Sequence, residues 1–178
     1  MKFLIASDIH GSAYYAKEVV KKMEEEKADK LVLLGDIYNH GPRNALPKDY
    51  APLEVAEVFN GVKDRLIVVK GNCDSQVDTM ISEFDFIENI VLVSKDKTAF
   101  CTHGHVYNKD SLPKTKFDAI IYGHFHTGFI EEKNGVIVAN AGSTSLPKNG
   151  TANSFLILED GVLTLKDFEN NIIKKVEI

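Results

Sequence analysis

The feature that most constrains this chain is a repeated ending. Short apolar runs at 2–7, 30–35, 65–70, 98–102, 117–122 and 135–140 each stop at a cluster of Gly, Asp, Asn, Ser or His. Runs this short and this apolar read as strands buried on both faces. Between the first two, residues 13–28 carry apolar side chains at helical spacing with a charged opposite face, and residues 52–60 read as a short helix opened by Pro52. Strand, loop and helix in succession predict an α/β layered fold, which places ligands beyond the carboxyl ends of its strands. That is where the polar clusters fall. In the tail, Asp160 and Gly161 separate two apolar runs and predict a tight hairpin followed by a further antiparallel segment. With no linker, repeat or low-complexity tract, the expected organisation is a single domain over residues 1–178.

Composition removes several classes of function. The chain is 44% hydrophobic and 26% charged, and no run approaches the ~18 apolar residues of a membrane span. Asp8 and His10 fall where a secretory signal needs its apolar centre, so the expected location is cytoplasmic and no membrane partner is expected. Two cysteines, Cys73 and Cys101, without disulfide-framework spacing fit a reducing compartment. Twenty-six acidic against 21 basic residues, a formal charge of −5, argue against a nucleic-acid partner and for a small substrate.

All six histidines, at 10, 40, 103, 105, 124 and 126, lie in strand-end or loop segments, beside Asp8, Asp36, Asn72 and Asp74. Asp8 and His10 are two apart around Ile9, His124 and His126 around Phe125, and His103 and His105 around Gly104. No CxxC is present, so a structural zinc cage is excluded. A mixed oxygen and imidazole set suits Mn²⁺, Fe²⁺ or Zn²⁺, and it exceeds what one ion needs. The groups divide naturally between two ions with one shared carboxylate, an arrangement suited to hydrolysis.

These blocks, DIH at 8–10, GD at 35–36, GNCD at 71–74, THGH at 102–105 and GHFH at 123–126, resemble the calcineurin-like metallophosphoesterase superfamily. The small size and the loop GDIYNHGPRN at 35–44 resemble its compact prokaryotic YfcE-like phosphodiesterase branch. The resemblance implies a four-layer αββα sandwich of two mixed β-sheets. It further implies that Asp8, His10 and His126 hold one metal, that Asn72, His103 and His124 hold a second, and that Asp36 bridges them. The cofactor it implies is a pair of divalent ions, Mn²⁺ first and Zn²⁺, Fe²⁺ or Ni²⁺ as alternatives. A hydroxide between them would attack phosphorus in line, making the chain a phosphodiesterase of small phosphodiesters, with a phosphomonoesterase of small phosphorylated metabolites or nucleotides as the alternative. Members of this branch also suggest a homo-oligomer.

One position departs from the family pattern. Where the third block usually has histidine after asparagine, this chain has Cys73, and a thiol reproduces neither the charge nor the donor geometry of an imidazolium. A redox-sensitive thiolate and a packing residue are both open readings of Cys73, whereas Cys101 reads as core. Beyond the ligands, Arg43 is the expected phosphate clamp, in a loop shared with His40 and Asn44. Asp74 is expected to orient the site and His105 to support a ligand or touch substrate. Asn140 and Ser143 either close the floor of the site or make a structural turn.

Overall fold

Alternation along the strands decides the layering. The computed structural model describes residues 1–178 and contains twelve strands. They are β1 (Phe3–Ala6), β2 (Lys30–Leu33), β3 (Leu66–Val69), β4 (Phe86–Ile87), β5 (Ile90–Ser94), β6 (Lys97–Cys101), β7 (Ala119–Tyr122), β8 (Phe129–Lys133), β9 (Val136–Asn140), β10 (Ser154–Glu159), β11 (Val162–Asp167) and β12 (Ile172–Glu177). Two helices, α1 (Ala13–Glu25) and α2 (Pro52–Asn60), follow β1 and β2. Seven strands form one sheet in the order β12-β11-β10-β1-β2-β3-β4, and five form another in the order β5-β6-β7-β9-β8. Both are mixed: β1, β2, β3 and β4 run parallel and β10 antiparallel to β1, while β6, β7 and β9 run parallel with β5 and β8 antiparallel at the edges.

The odd and even side chains of each central strand join different cores. Phe3 and Ile5 of β1, Val32 of β2 and Leu156 and Leu158 of β10 face Ala99 and Cys101 of β6, Ile121 of β7 and Ala139 of β9 between the sheets. Leu4 and Ala6, Leu31 and Leu33, and Phe155 and Ile157 point the other way, against Ala16, Val19 and Met23 of α1 and Val55 and Phe59 of α2. Each such Leu, Ile or Phe contributes about 1.5–3 kcal/mol on burial. The outermost layer, over the five-stranded sheet, comes from Tyr107 and Phe117 of a segment without regular helix, packed on Phe100, Ile120, Tyr122 and Val138. No helix is long and apolar enough to cross a membrane.

The predicted helix over 13–28 ends three residues early for a local reason. Lys27 turns left-handed (φ 53°), its N–H donates to the Glu24 carbonyl (3.1 Å), and the Ala28 N–H donates to the Met23 carbonyl (2.9 Å). This is a Schellman cap built without glycine. The hairpin expected at Asp160 and Gly161 is present, joining Glu159 to its partner Val162, with both turn residues at positive φ. Strands β4, β5 and β8 were not anticipated. The last is held by a second two-residue turn, Asn134 and Gly135, also at positive φ.

Because Leu156 is fully buried between the sheets, Leu156→Ala is expected to lower the free energy of unfolding in urea by about 2–5 kcal/mol. Val93→Thr, on the exposed face of edge strand β5, is expected to change it by about 0.5 kcal/mol at most.

Candidate metal centre

Backbone conformation at the strand ends aims the polar side chains. Asp8, His10, Asp36, His124 and His126 all lie in the left-handed region, with φ between 51° and 65°. Asp, Asn and His enter that region more readily than other side chains, and the reversal it forces turns each side chain into the crevice between the sheets. Long-range bonds fix these turns. Asp8 Oδ2 accepts the His124 N–H (2.9 Å), and the Asp8 carbonyl accepts the hydroxyls of Ser143 (2.7 Å) and Ser145 (3.1 Å). The Asn140 side-chain amide donates to the Gly123 carbonyl (2.7 Å), so Asn140 and Ser143 hold the floor of the site from below.

Three imidazoles donate Nδ1–H to main-chain carbonyls: His10 to Asn39 (2.7 Å), His103 to Leu34 (2.6 Å) and His126 to Leu146 (2.7 Å). A carbonyl can only accept, so each neutral ring is fixed with its Nε2 lone pair facing inward. These lone pairs converge on further acceptors. His10 Nε2 lies 3.1 Å from His126 Nε2 and 3.7 Å from both Asp8 Oδ1 and Asp36 Oδ2. His126 Nε2 is 3.4 Å from Asp8 Oδ1, which is buried without any hydrogen-bond partner. Beside this group, His103 Nε2 lies 2.9 Å from Asn72 Oδ1, 3.2 Å from His124 Nδ1 and 3.5 Å from Asp36 Oδ1.

Acceptors crowded together at burial repel one another unless a cation stands among them. The donor atoms of Asp8, His10 and His126 lie within 4.8 Å of each other, as do those of Asp8, Asp36 and His103. Protonation states agree with that role. Burial lowers His10, and burial with the neighbouring His103 lowers His124 to about 4, so these rings keep their lone pairs at neutral pH. The oxygen and imidazole set fits two adjacent divalent ions.

The centre opens into a cleft of about 610 Å³ lined by His10, Asp36, Asn72, His124 and His126 together with Asn39, Arg43 and Lys148. All seven expected ligands thus come together, and Arg43 reaches the same cleft. Asp74 and His105 are not among its lining residues. The Asp74 carboxylate is spent on three main-chain amides, those of Asp36 (2.8 Å), Ile37 (2.8 Å) and Gly71 (2.7 Å), so it straps the end of β2 to the end of β3. Burial raises it to about 6. His105 is exposed, its ring 5.4 Å from that of His103, and it does not line the cleft. His40 packs edge-on against Tyr50. Cys73 lines the cleft, and its thiol is pushed up to about 12 by burial and the nearby Asp36 carboxylate; Cys101 is buried between the sheets. Lys148 escaped the sequence reading because it sits in no motif block, whereas Asn39 lies within the 35–44 loop without being singled out; its side chain accepts the Gly41 N–H (2.8 Å).

A two-sheet α/β sandwich carrying this cluster at its strand ends defines a dinuclear metallophosphoesterase centre. The chain belongs to the calcineurin-like phosphoesterase superfamily, whose domain description matches residues 1–160. In particular it is similar to phosphodiesterase YfcE of Escherichia coli K12, with 41% identity covering 100% of this chain and 98% of that protein. The solved structure of the E. coli phosphoesterase YfcE superposes with a TM-score of 0.95 at 39% identity, covering 100% of both chains. The probable metallophosphoesterase YsnB of Bacillus subtilis is 28% identical, covering 95% of this chain and 91% of that protein. Vps29 of Entamoeba histolytica shares the fold, with a TM-score of 0.67 at 19% identity over 100% of this chain and 99% of that one.

A methyl at Gly71 would overlap both the amide nitrogen and the carboxylate of Asp36. Gly71→Ala is therefore expected to cost about 1–3 kcal/mol in thermal or urea unfolding and to reduce the metal retained after gel filtration.

Proposed function

We propose that this protein hydrolyses small phosphodiesters with two divalent metal ions. The observation that carries the reading is the convergence of inward-facing lone pairs and an unpartnered buried carboxylate oxygen on the floor of a cleft whose wall includes Arg43 and Lys148. Asp8, His10 and His126 would hold one ion, Asn72, His103 and His124 the other, and Asp36 both. When bound, such a pair supplies Lewis acidity toward phosphoryl oxygens and lowers the pKa of a water until it is hydroxide near neutral pH.

The chain's own groups do the rest. Arg43 presents a planar fork that matches two phosphoryl oxygens, and Lys148 adds a point charge from the other loop. Together they orient the ester and neutralise charge that grows on its oxygens. Cys73 stands where the family pattern has histidine and supplies no imidazolium. A phosphodiester carries one negative charge and asks less of the missing cation than a monoester dianion, which supports the diester. The similarity to phosphodiesterase YfcE supports it independently. Mn²⁺ as the native ion, a cytoplasmic setting and self-association complete the reading. They are supported respectively by the oxygen and imidazole donors, by two free cysteines, and by Ile172 and Ile173 exposed on edge strand β12.

Metal-stripped protein is expected to be inactive and to regain turnover with Mn²⁺, with kcat/KM higher on an aryl diester than on the matching monoester. Monoester preference would promote the alternative substrate class, and no turnover at full two-metal loading would overturn the reading. Asp36→Ala is expected to lower turnover by about 10³-fold or more with loss of bound metal, since the shared carboxylate serves both ions. Cys73→His is expected to raise monoesterase activity relative to diesterase activity; an unchanged ratio would show that Cys73 does not set the preference.

A further inference from the structure

One large apolar side chain stands open in an otherwise polar cleft. Phe125 is 47% exposed, yet it lies between the ligands His124 and His126 and lines the same cavity as Arg43 and Lys148. Its backbone is closely held. His124 and His126 on either side are held at φ 65° and 60°, the Phe125 N–H donates to the Gly123 carbonyl (2.7 Å), and the His126 ring is anchored to Leu146. The phenyl packs edge-on against the rings of His124 (5.0 Å, 80°) and Tyr122 (6.0 Å, 75°). With these contacts made, nearly half of the side chain remains exposed, and the residue lines the cleft. A flat aromatic side chain on a fixed backbone beside a phosphoryl site costs little entropy to stack on, which is the way proteins hold bases and aryl groups without reading their edges.

We infer that Phe125 is a stacking platform for the retained alcohol of the substrate, so that the preferred phosphodiester carries a planar aromatic group, an aryl or a heterocyclic base, on one side of phosphorus. The cleft volume of about 610 Å³ accommodates a phosphoryl group with such a substituent. Pro42, also in the lining, adds a second rigid apolar surface. The inference rests on the phosphodiesterase reading, and it adds a selectivity that the metal ligands cannot supply, because they contact only what all diesters share.

The test compares two esters with one leaving group, bis(4-nitrophenyl) phosphate and methyl 4-nitrophenyl phosphate, on the Mn²⁺-loaded protein. Taking each variant against wild type on the same ester cancels intrinsic reactivity. Phe125→Ala and Phe125→Leu are expected to lower the ratio of kcat/KM for the aryl over the methyl ester about tenfold, chiefly through KM. Phe125→Trp is expected to keep or raise that ratio. Metal content measured on each variant separates a lost platform from a disturbed centre, since a disturbed centre lowers both esters together and leaves the ratio alone. An unchanged ratio in Phe125→Leu at full metal loading would overturn the inference. Calorimetric binding of methyl phenylphosphonate against methyl methylphosphonate provides a readout without turnover. Tighter binding of the phenyl compound that depends on Phe125 supports the platform even where neither ester is hydrolysed, an outcome that would sink the phosphodiesterase reading alone. Equal binding of the two by wild type overturns the platform.

Discussion

His10, His103 and His126 each give their Nδ1 proton to a main-chain carbonyl, and the direction of those bonds governs the cleft. Once that proton is committed, the opposite nitrogen has only a lone pair to present. Placed with Asp8, Asp36 and Asn72, the three rings form a group that has nothing to donate and everything to accept. The carbonyls that receive the protons belong to Leu34, Asn39 and Leu146, so the main chain of the loops around the strand ends sets each tautomer. In this sense the fold prepares the charge state of the centre before any ligand arrives.

A second constraint keeps the two halves of the centre in register. The Asp74 carboxylate joins the amides of Asp36, Ile37 and Gly71, and the Cys73 N–H donates to Asp36 Oδ1 (2.8 Å), so the loop after β3 grips the loop after β2 from both sides. Gly71 is small because Asp36 lies against it. Gly123 is small for the same reason, with Ser7 and Asp8 where a side chain would go. Both glycines belong to the motif blocks, and their place there is steric: the strand ends approach one another too closely for a methyl group.

Much of this was legible in the sequence, for identifiable reasons. A ligand pair such as Asp8 and His10 stands out because strong polar groups close an apolar strand, and the same logic located Asp36, His103 and the pair His124 and His126. The α/β layering followed from apolar runs alternating with an amphipathic helix. What escaped the reading was either too short or outside any pattern. Strand β4 is two residues long. Strand β5 does alternate in burial, but as an edge strand its outward positions are Val91 and Val93, which mask the period in the sequence. Strand β8, FIEEK, has only two apolar residues and does not read as a strand by itself, although the Asn134 and Gly135 turn beside it has hairpin chemistry. Lys148 reaches the cleft only because its loop bonds back to the His126 carbonyl (2.9 Å), a contact between positions that no local spacing connects. Asp74 and His105 show the limit of motif logic from the other side, since membership in a block did not bring their side chains into the cleft.

The contact between His10 and His126 joins residues 116 apart in the chain, one from each sheet. Contacts of such long sequence separation form late, after the loops that separate them have closed. The aim of Asp8 depends on the same late contacts, since its carboxylate accepts the His124 N–H and its carbonyl accepts the hydroxyls of Ser143 and Ser145. The complete set of inward-facing lone pairs therefore exists only once the two sheets have docked, and a chain stopped short of its second sheet has half a centre with nothing to hold its first aspartate in place.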